Sequence, residues 1–281
     1  MPIRPVEPLT TAPLFLPLHQ ELMKLLRSLP DEAWGRRTAA GWWTVKDVIA
    51  HLLDGNVRQV SFRRDALAPL PPDEPINSYA DLVRFIDAIN AVWVKACGRV
   101  SPRLLMEFME ITGPAAADVF NRLDPAAPAL FGVAWAGEMT SPNWFDTARE
   151  YTERWHHQEQ VREAVGVPGL TDRRWLNPVL DTFLRALPHT YRDAAAAEGT
   201  AIGFEITGDA GGSWTLRREG GAWNLYAGAA EDPAGRVVTD QDTAWRMMTK
   251  GLSAEAARGR IAVQGRLELG EPFIGMLAIM G

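Results

Sequence analysis

Cysteine is almost missing from this chain, with Cys97 alone among 281 residues. No internal disulfide can form, which fits a reducing compartment. Long hydrophobic runs are missing as well. No stretch reaches the roughly 18 apolar residues of a membrane-spanning helix, and the opening Met1-Pro2-Ile3-Arg4-Pro5-Val6-Glu7-Pro8 lacks the apolar core of a secretion signal. A cytoplasmic protein with no membrane partner is expected. Clusters of lysine and arginine are absent, and a formal charge of −6 with a pI near 5.5 argues against nucleic acid as a partner. No glycine-rich run has the strand-to-helix setting of a phosphate loop, and no hydrolase nucleophile elbow occurs.

What the chain does have is length and apolar content, 47% against 23% charged, enough for two domains with cores of their own. Leu18, Leu22, Leu25, Leu26 and Leu29 recur at helical spacing over 17–29. Gly41-Trp42-Trp43-Thr44 introduces a second helix over 45–66, with Thr44 as N-cap and Asp47 as its capping-box partner. Ser78 with Asp81 starts a third helix, and Ser101-Pro102 a fourth that Gly113-Pro114 should kink or end. Cys97 falls among Val92, Trp93, Val94 and Ala96 and reads as packing rather than as a nucleophile. A crossover over 125–142 precedes a long helix that Gly166 stops.

Helices over 172–186 and 190–197 come next, and then the periodicity shortens. Strands are expected at 201–207, 213–218, 222–227, 236–239 and 260–264, with glycine pairs at turns, helices at 243–249 and 253–258, and a closing helix over 267–280. The chain thus divides into a helical bundle domain (1–168), a helical connector (169–200) and a small α+β domain (201–281).

The chemistry concentrates in Tyr151-Thr152-Glu153-Arg154-Trp155-His156-His157. Glu153 and His157, four residues apart, lie about 40° apart around a helix and one turn above each other. Such a pair can hold one metal ion, with His51 of the second helix as the best third ligand. A solvated Glu-His pair and a helix-edge histidine are the plainer alternatives. His156 is turned about 100° from His157 and cannot easily share the same ion. His19, in the first turn of its helix, reads as a surface or capping residue.

Three segments together carry a resemblance: Gly-Trp-Trp-Thr-Val-Lys-Asp-Val-Ile-Ala-His-Leu at 41–52, Glu-Arg-Trp-His-His-Gln-Glu-Gln-Val-Arg-Glu-Ala-Val-Gly at 153–166, and Asp-Thr-Ala-Trp-Arg-Met-Met-Thr-Lys-Gly-Leu-Ser at 242–253. In their order and spacing they resemble the mycothiol-dependent maleylpyruvate isomerase family of DinB/YfiT-like metalloenzymes. The resemblance implies a fold of class α + (α+β), a four-helix DinB-like bundle followed by an α+β domain similar to sterol carrier proteins. It implies a divalent metal, zinc first and nickel second, on His51, Glu153 and His157, and a low-molecular-weight thiol such as mycothiol as cofactor. The implied reaction adds the thiol to an activated double bond, rotates about the new single bond and eliminates the thiol, which makes the chain a metal-dependent thiol transferase or isomerase. Arg58 and Arg246 are the candidates for holding substrate carboxylates, although each also reads as a surface ion pair. Expected partners are a small-molecule substrate and the thiol, the chain being a monomer or homodimer. A ligand binder with a vestigial site and a metal-dependent hydrolase are the competing classes.

Overall fold

Two units, each discontinuous in sequence, make up the computed structural model, which describes residues 3–279. The helical unit takes Thr10–Ala127 and Glu150–Gly169. The sheet unit takes Pro128–Arg149, Leu170–Ile279 and the described residues up to Leu9.

The helical unit contains α1 (Phe15–Ser28), α2 (Val45–Gln59), α3 (Tyr79–Cys97), α4 (Pro102–Arg122) and most of α5 (Asn143–Val165). α2 packs on α3 and α4, and α1 packs on α4. The core joins Leu22, Leu25 and Leu26 of α1 to Val48, Ile49 and Leu52 of α2, Leu105 and Met109 of α4, and Val161 of α5. Full burial of each such aliphatic side chain contributes about 1.5–3 kcal/mol. α2 starts where the sequence says it should. Thr44 Oγ1 accepts from the Asp47 amide, and the Thr44 amide donates to Asp47 Oδ2 at 2.9 Å, completing the capping box. α3 ends on Cys97, whose thiol is buried in the core.

The sheet unit holds β1 (Arg4–Pro5), α6 (Arg173–Leu184), α7 (Leu187–Thr190), β2 (Ala201–Thr207), β3 (Gly212–Glu219), β4 (Ala222–Ala227), β5 (Gly235–Asp240), α8 (Gln241–Met248), α9 (Ala254–Arg258), β6 (Ala262–Gly265) and α10 (Glu271–Ile274). The strand order is β1-β4-β3-β2-β5-β6. All neighbours run antiparallel except β2 and β5, where Phe204 aligns with Val237 in parallel. Gly220 and Gly221, with φ of +60° and +76°, make the two-residue turn between β3 and β4, a backbone that side chains with a Cβ rarely adopt.

Several expectations need correction. α4 does not end at Gly113-Pro114 but continues to Arg122. Losing one helical hydrogen bond and straining the preceding turn costs about 3 kcal/mol, which burial of Met109, Ala116, Ala117 and Phe120 on both sides offsets. α2 stops at Gln59 and continues as a π-helical turn, Val60–Arg64. The helix expected over 190–197 does not form beyond Thr190, the last residue of α7. α7 is a single turn, and the alanines after it offer no apolar stripe to bury. The closing helix is broken into a 3-10 turn, Leu267–Leu269, and the short α10, because Gly270 and Gly275 bracket it and Pro272 can only begin a helix; Met280 lies outside the described residues. β1 had no periodic signal at all, being two residues at the sheet edge, where a proline is tolerated. His19 is half-buried, its ring filling the space beside Gly113.

Candidate metal centre

α5 is polar nearly all round and still buried. Tyr151, Trp155 and Val161 are inside, and so are Glu150, Thr152, His156, His157, Gln158 and Gln160. Buried polar groups must find partners within the protein, and the partners of this helix form the candidate site.

His51 comes from the second turn of α2, Glu153 and His157 from successive turns of α5. Their ligand atoms meet at one point. His51 Nε2 lies 3.0 Å from Glu153 Oε1, and His157 Nε2 lies 3.1 Å from the same oxygen. One donor atom from each of the three falls within 4.8 Å of the others. The imidazole rings meet edge to face with centroids 4.7 Å apart, and the Trp43 ring lies 5.0 Å from His51 and 6.2 Å from His157. Both histidine side chains are nearly buried, at 6% and 11% exposure, whereas Glu153 keeps 36% of its side chain open to solvent. The cluster therefore has one accessible side, at the carboxylate.

Two imidazole nitrogens set against one carboxylate oxygen are satisfied either by ring N–H groups that donate to it or by a metal ion held among the three. With protons alone, burial would push the Glu153 carboxyl up, but the His157 charge and the hydrogen bonds of both histidines outweigh it and hold the group well below the usual carboxylate range. Burial likewise works against a charge on His157, and Glu153 with Gln160 overcomes it, so His157 is raised. His51 is lowered, chiefly by burial, against its hydrogen bond to Glu153. Two neutral imidazoles and a carboxylate are also a donor set that suits a divalent ion of the zinc type while leaving further positions open.

Further contacts hold the candidate ligands in place. His157 Nδ1 lies 2.8 Å from Gln160 Oε1, and Gln160 Nε2 lies 3.3 Å from His156 Nε2. His51 Nδ1 is buried with no hydrogen-bond partner among the described residues. Gln160 and Trp43 escaped the sequence reading. The only signal for Gln160 was its spacing, three residues after one histidine and four after the other.

The family described as the mycothiol maleylpyruvate isomerase N-terminal domain matches residues 15–162, more than half of the chain. This chain belongs to that family. The match takes in α1 to α4 and nearly all of α5, so His51, Glu153 and His157 all lie inside the mycothiol maleylpyruvate isomerase N-terminal segment. A crystal structure of the mycothiol-dependent maleylpyruvate isomerase shares the fold at a TM-score of 0.51, and one of its single-histidine-to-alanine mutant at 0.52; each is 11% identical, with 90% of this chain and 91% of that chain covered. Both therefore share a helical N-terminal region and a C-terminal sheet domain with this family member. No curated protein sequence matches the chain.

The two arginine candidates are placed differently. Arg58, near the end of α2 in the helical unit, pairs with Asp54 through Nε at 2.9 Å. Arg246 belongs to the sheet unit, where it pairs with Asp242 at 2.8 Å and lies over the Trp245 ring. The structure gathers His51, Glu153 and His157, and leaves both arginines in ion pairs of their own.

Proposed function

We propose that this chain is a divalent-metal enzyme that uses a low-molecular-weight thiol, mycothiol by family, to isomerise a small unsaturated acid of the maleylpyruvate type. One observation carries the reading, the meeting of two nearly buried imidazole nitrogens on one partly exposed carboxylate oxygen. His51, Glu153 and His157 would hold the ion, zinc by donor type. A divalent ion there would supply the Lewis acidity that ionises a coordinating thiol at neutral pH.

The chain's own residues do the rest. Trp43 packs beside both imidazoles, and Glu153 is the member of the cluster that meets solvent. A bound thiol would supply a nucleophile for reversible addition across the double bond, a chemistry that returns thiol and proton and consumes no oxidant. Arg58, on the same helix as His51, is the candidate to take a substrate carboxylate in place of Asp54; Arg246 stands as a second candidate. The family also supports reading the helical unit as the DinB-like four-helix bundle, with α3 flanking α1, α2, α4 and α5, and the sheet unit as sterol-carrier-like.

The purified chain should carry about one divalent ion, lost in His51→Ala and in His157→Ala. Elemental analysis showing unchanged metal in both variants rejects the ligand set. A panel of mycothiol, bacillithiol and glutathione with maleylpyruvate as acceptor then tests the reaction, and turnover with no thiol present would move the assignment to hydrolase chemistry.

A further inference from the structure

We infer that Gln160 is a positioning residue whose single side-chain amide sets the proton positions of His156 and His157 together and so presents the correct nitrogen of His157 to the ion. The inference rests on the metal reading above. Gln160 Oε1 lies 2.8 Å from His157 Nδ1, and Gln160 Nε2 lies 3.3 Å from His156 Nε2. An amide oxygen only accepts and an amide nitrogen only donates. His157 must therefore carry its proton on Nδ1, and His156 must leave Nε2 bare.

The consequence reaches the site directly. With Nδ1 committed to Gln160, Nε2 is the His157 nitrogen turned to Glu153 Oε1, at 3.1 Å, and it is the one an ion would meet on displacing its proton. Turning the amide over would set N–H against N–H and oxygen against lone pair, so it can reverse only if both imidazoles change tautomer at once. All three side chains are buried, with residue exposures of 5% for His156, 9% for His157 and 7% for Gln160, so bulk water cannot easily take over either role. His156 thus acts as the lock on Gln160 and not as a ligand. Partners of this kind orient ligating histidines and are worth about 10- to 100-fold in metal affinity. A neutral amide does this without adding a second carboxylate to the centre.

The test uses the full chain as wild type, Gln160→Leu, Gln160→Glu and His156→Leu, titrated with Co2+ and Zn2+ against a chromophoric chelator, with imidazole nitrogen NMR on the metal-free proteins. Gln160→Leu should bind both ions about 10- to 100-fold more weakly and alter the Co2+ visible spectrum. Gln160→Glu should stay near wild type, since a carboxylate still accepts from His157 Nδ1, but it cannot donate to His156, whose proton should move to Nε2. His156→Leu should weaken binding less than Gln160→Leu does. Wild-type affinity and spectrum in Gln160→Leu overturn the inference while leaving the metal reading intact; failure of the wild type to bind either ion sinks both. If Gln160→Leu does not fold, Gln160→Glu decides, because an unchanged His156 tautomer overturns the inference.

Discussion

His19 shows how much of a residue's behaviour depends on what it rests against. Burial pushes its imidazole down to about 4, with the Arg154 and Arg27 cations adding to the effect. The folded state therefore keeps His19 neutral where the unfolded chain, with an ordinary value of 6.5, takes up a proton. The unfolded state binds more protons below 6.5, so the contribution is intact above that pH and is lost as pH falls towards about 4. Urea midpoints measured across this window should drop less steeply in His19→Gln than in wild type. The same ring makes Gly113 necessary, since a Cβ there would collide with it. Gly113→Ala should cost about 1–3 kcal/mol by overpacking, and a smaller loss in the His19→Ala background, measured as a double-mutant cycle, would confirm the cause. From sequence, His19 was one polar residue in a first helical turn, and nothing in its spacing told of Gly113, which lies on another helix.

At the scale of an element, α2 and α5 differ in how far their sequences explain them. α2 was legible, because Thr44 and Asp47 fix its start by local hydrogen bonds and Val48, Ile49 and Leu52 mark its buried side. Thr44→Ala should cost about 1 kcal/mol, read as a lower thermal midpoint. His51 sits two turns further in, so Zn2+ affinity in that variant should fall by less than tenfold. α5 was legible only in part. Its length and the one-turn spacing of Glu153 and His157 follow from helical geometry, but burial of its polar side is decided by the helices around it. The short α10 and the single-turn α7 were misread because helix propensity over a few residues is weak; Gly270 and Pro272 limit α10 locally, and Tyr191 ties the end of α7 to a distant segment. The Tyr191 hydroxyl, for instance, donates to the Leu269 carbonyl at 2.6 Å.

At the scale of the whole molecule, the division into two units makes a separate prediction possible. On the proposed reading, an ion held by His51, Glu153 and His157 would bind the folded helical unit and not the unfolded chain. At a free concentration about 100 times its Kd it should stabilise that unit by about 2.7 kcal/mol. Calorimetry with Zn2+ and then with chelator should show one unfolding event moving by roughly 5–10 °C, and no movement would count against a built metal site. Among the described residues no helix is long and apolar enough to cross a membrane. By itself the sequence determined what is local: caps, helix periods, the β3–β4 glycine turn, the strand runs, and the pairing of Glu153 with His157 on one helix. Only the tertiary structure decided that His51, about a hundred residues away, brings Nε2 within 3.0 Å of Glu153, that Trp43 and Gln160 hold the imidazoles, and that Arg58 and Arg246 are already paired. Caps and periodicity arise from neighbours along the chain, whereas the meeting of α2 with α5 arises from how their buried sides pack together.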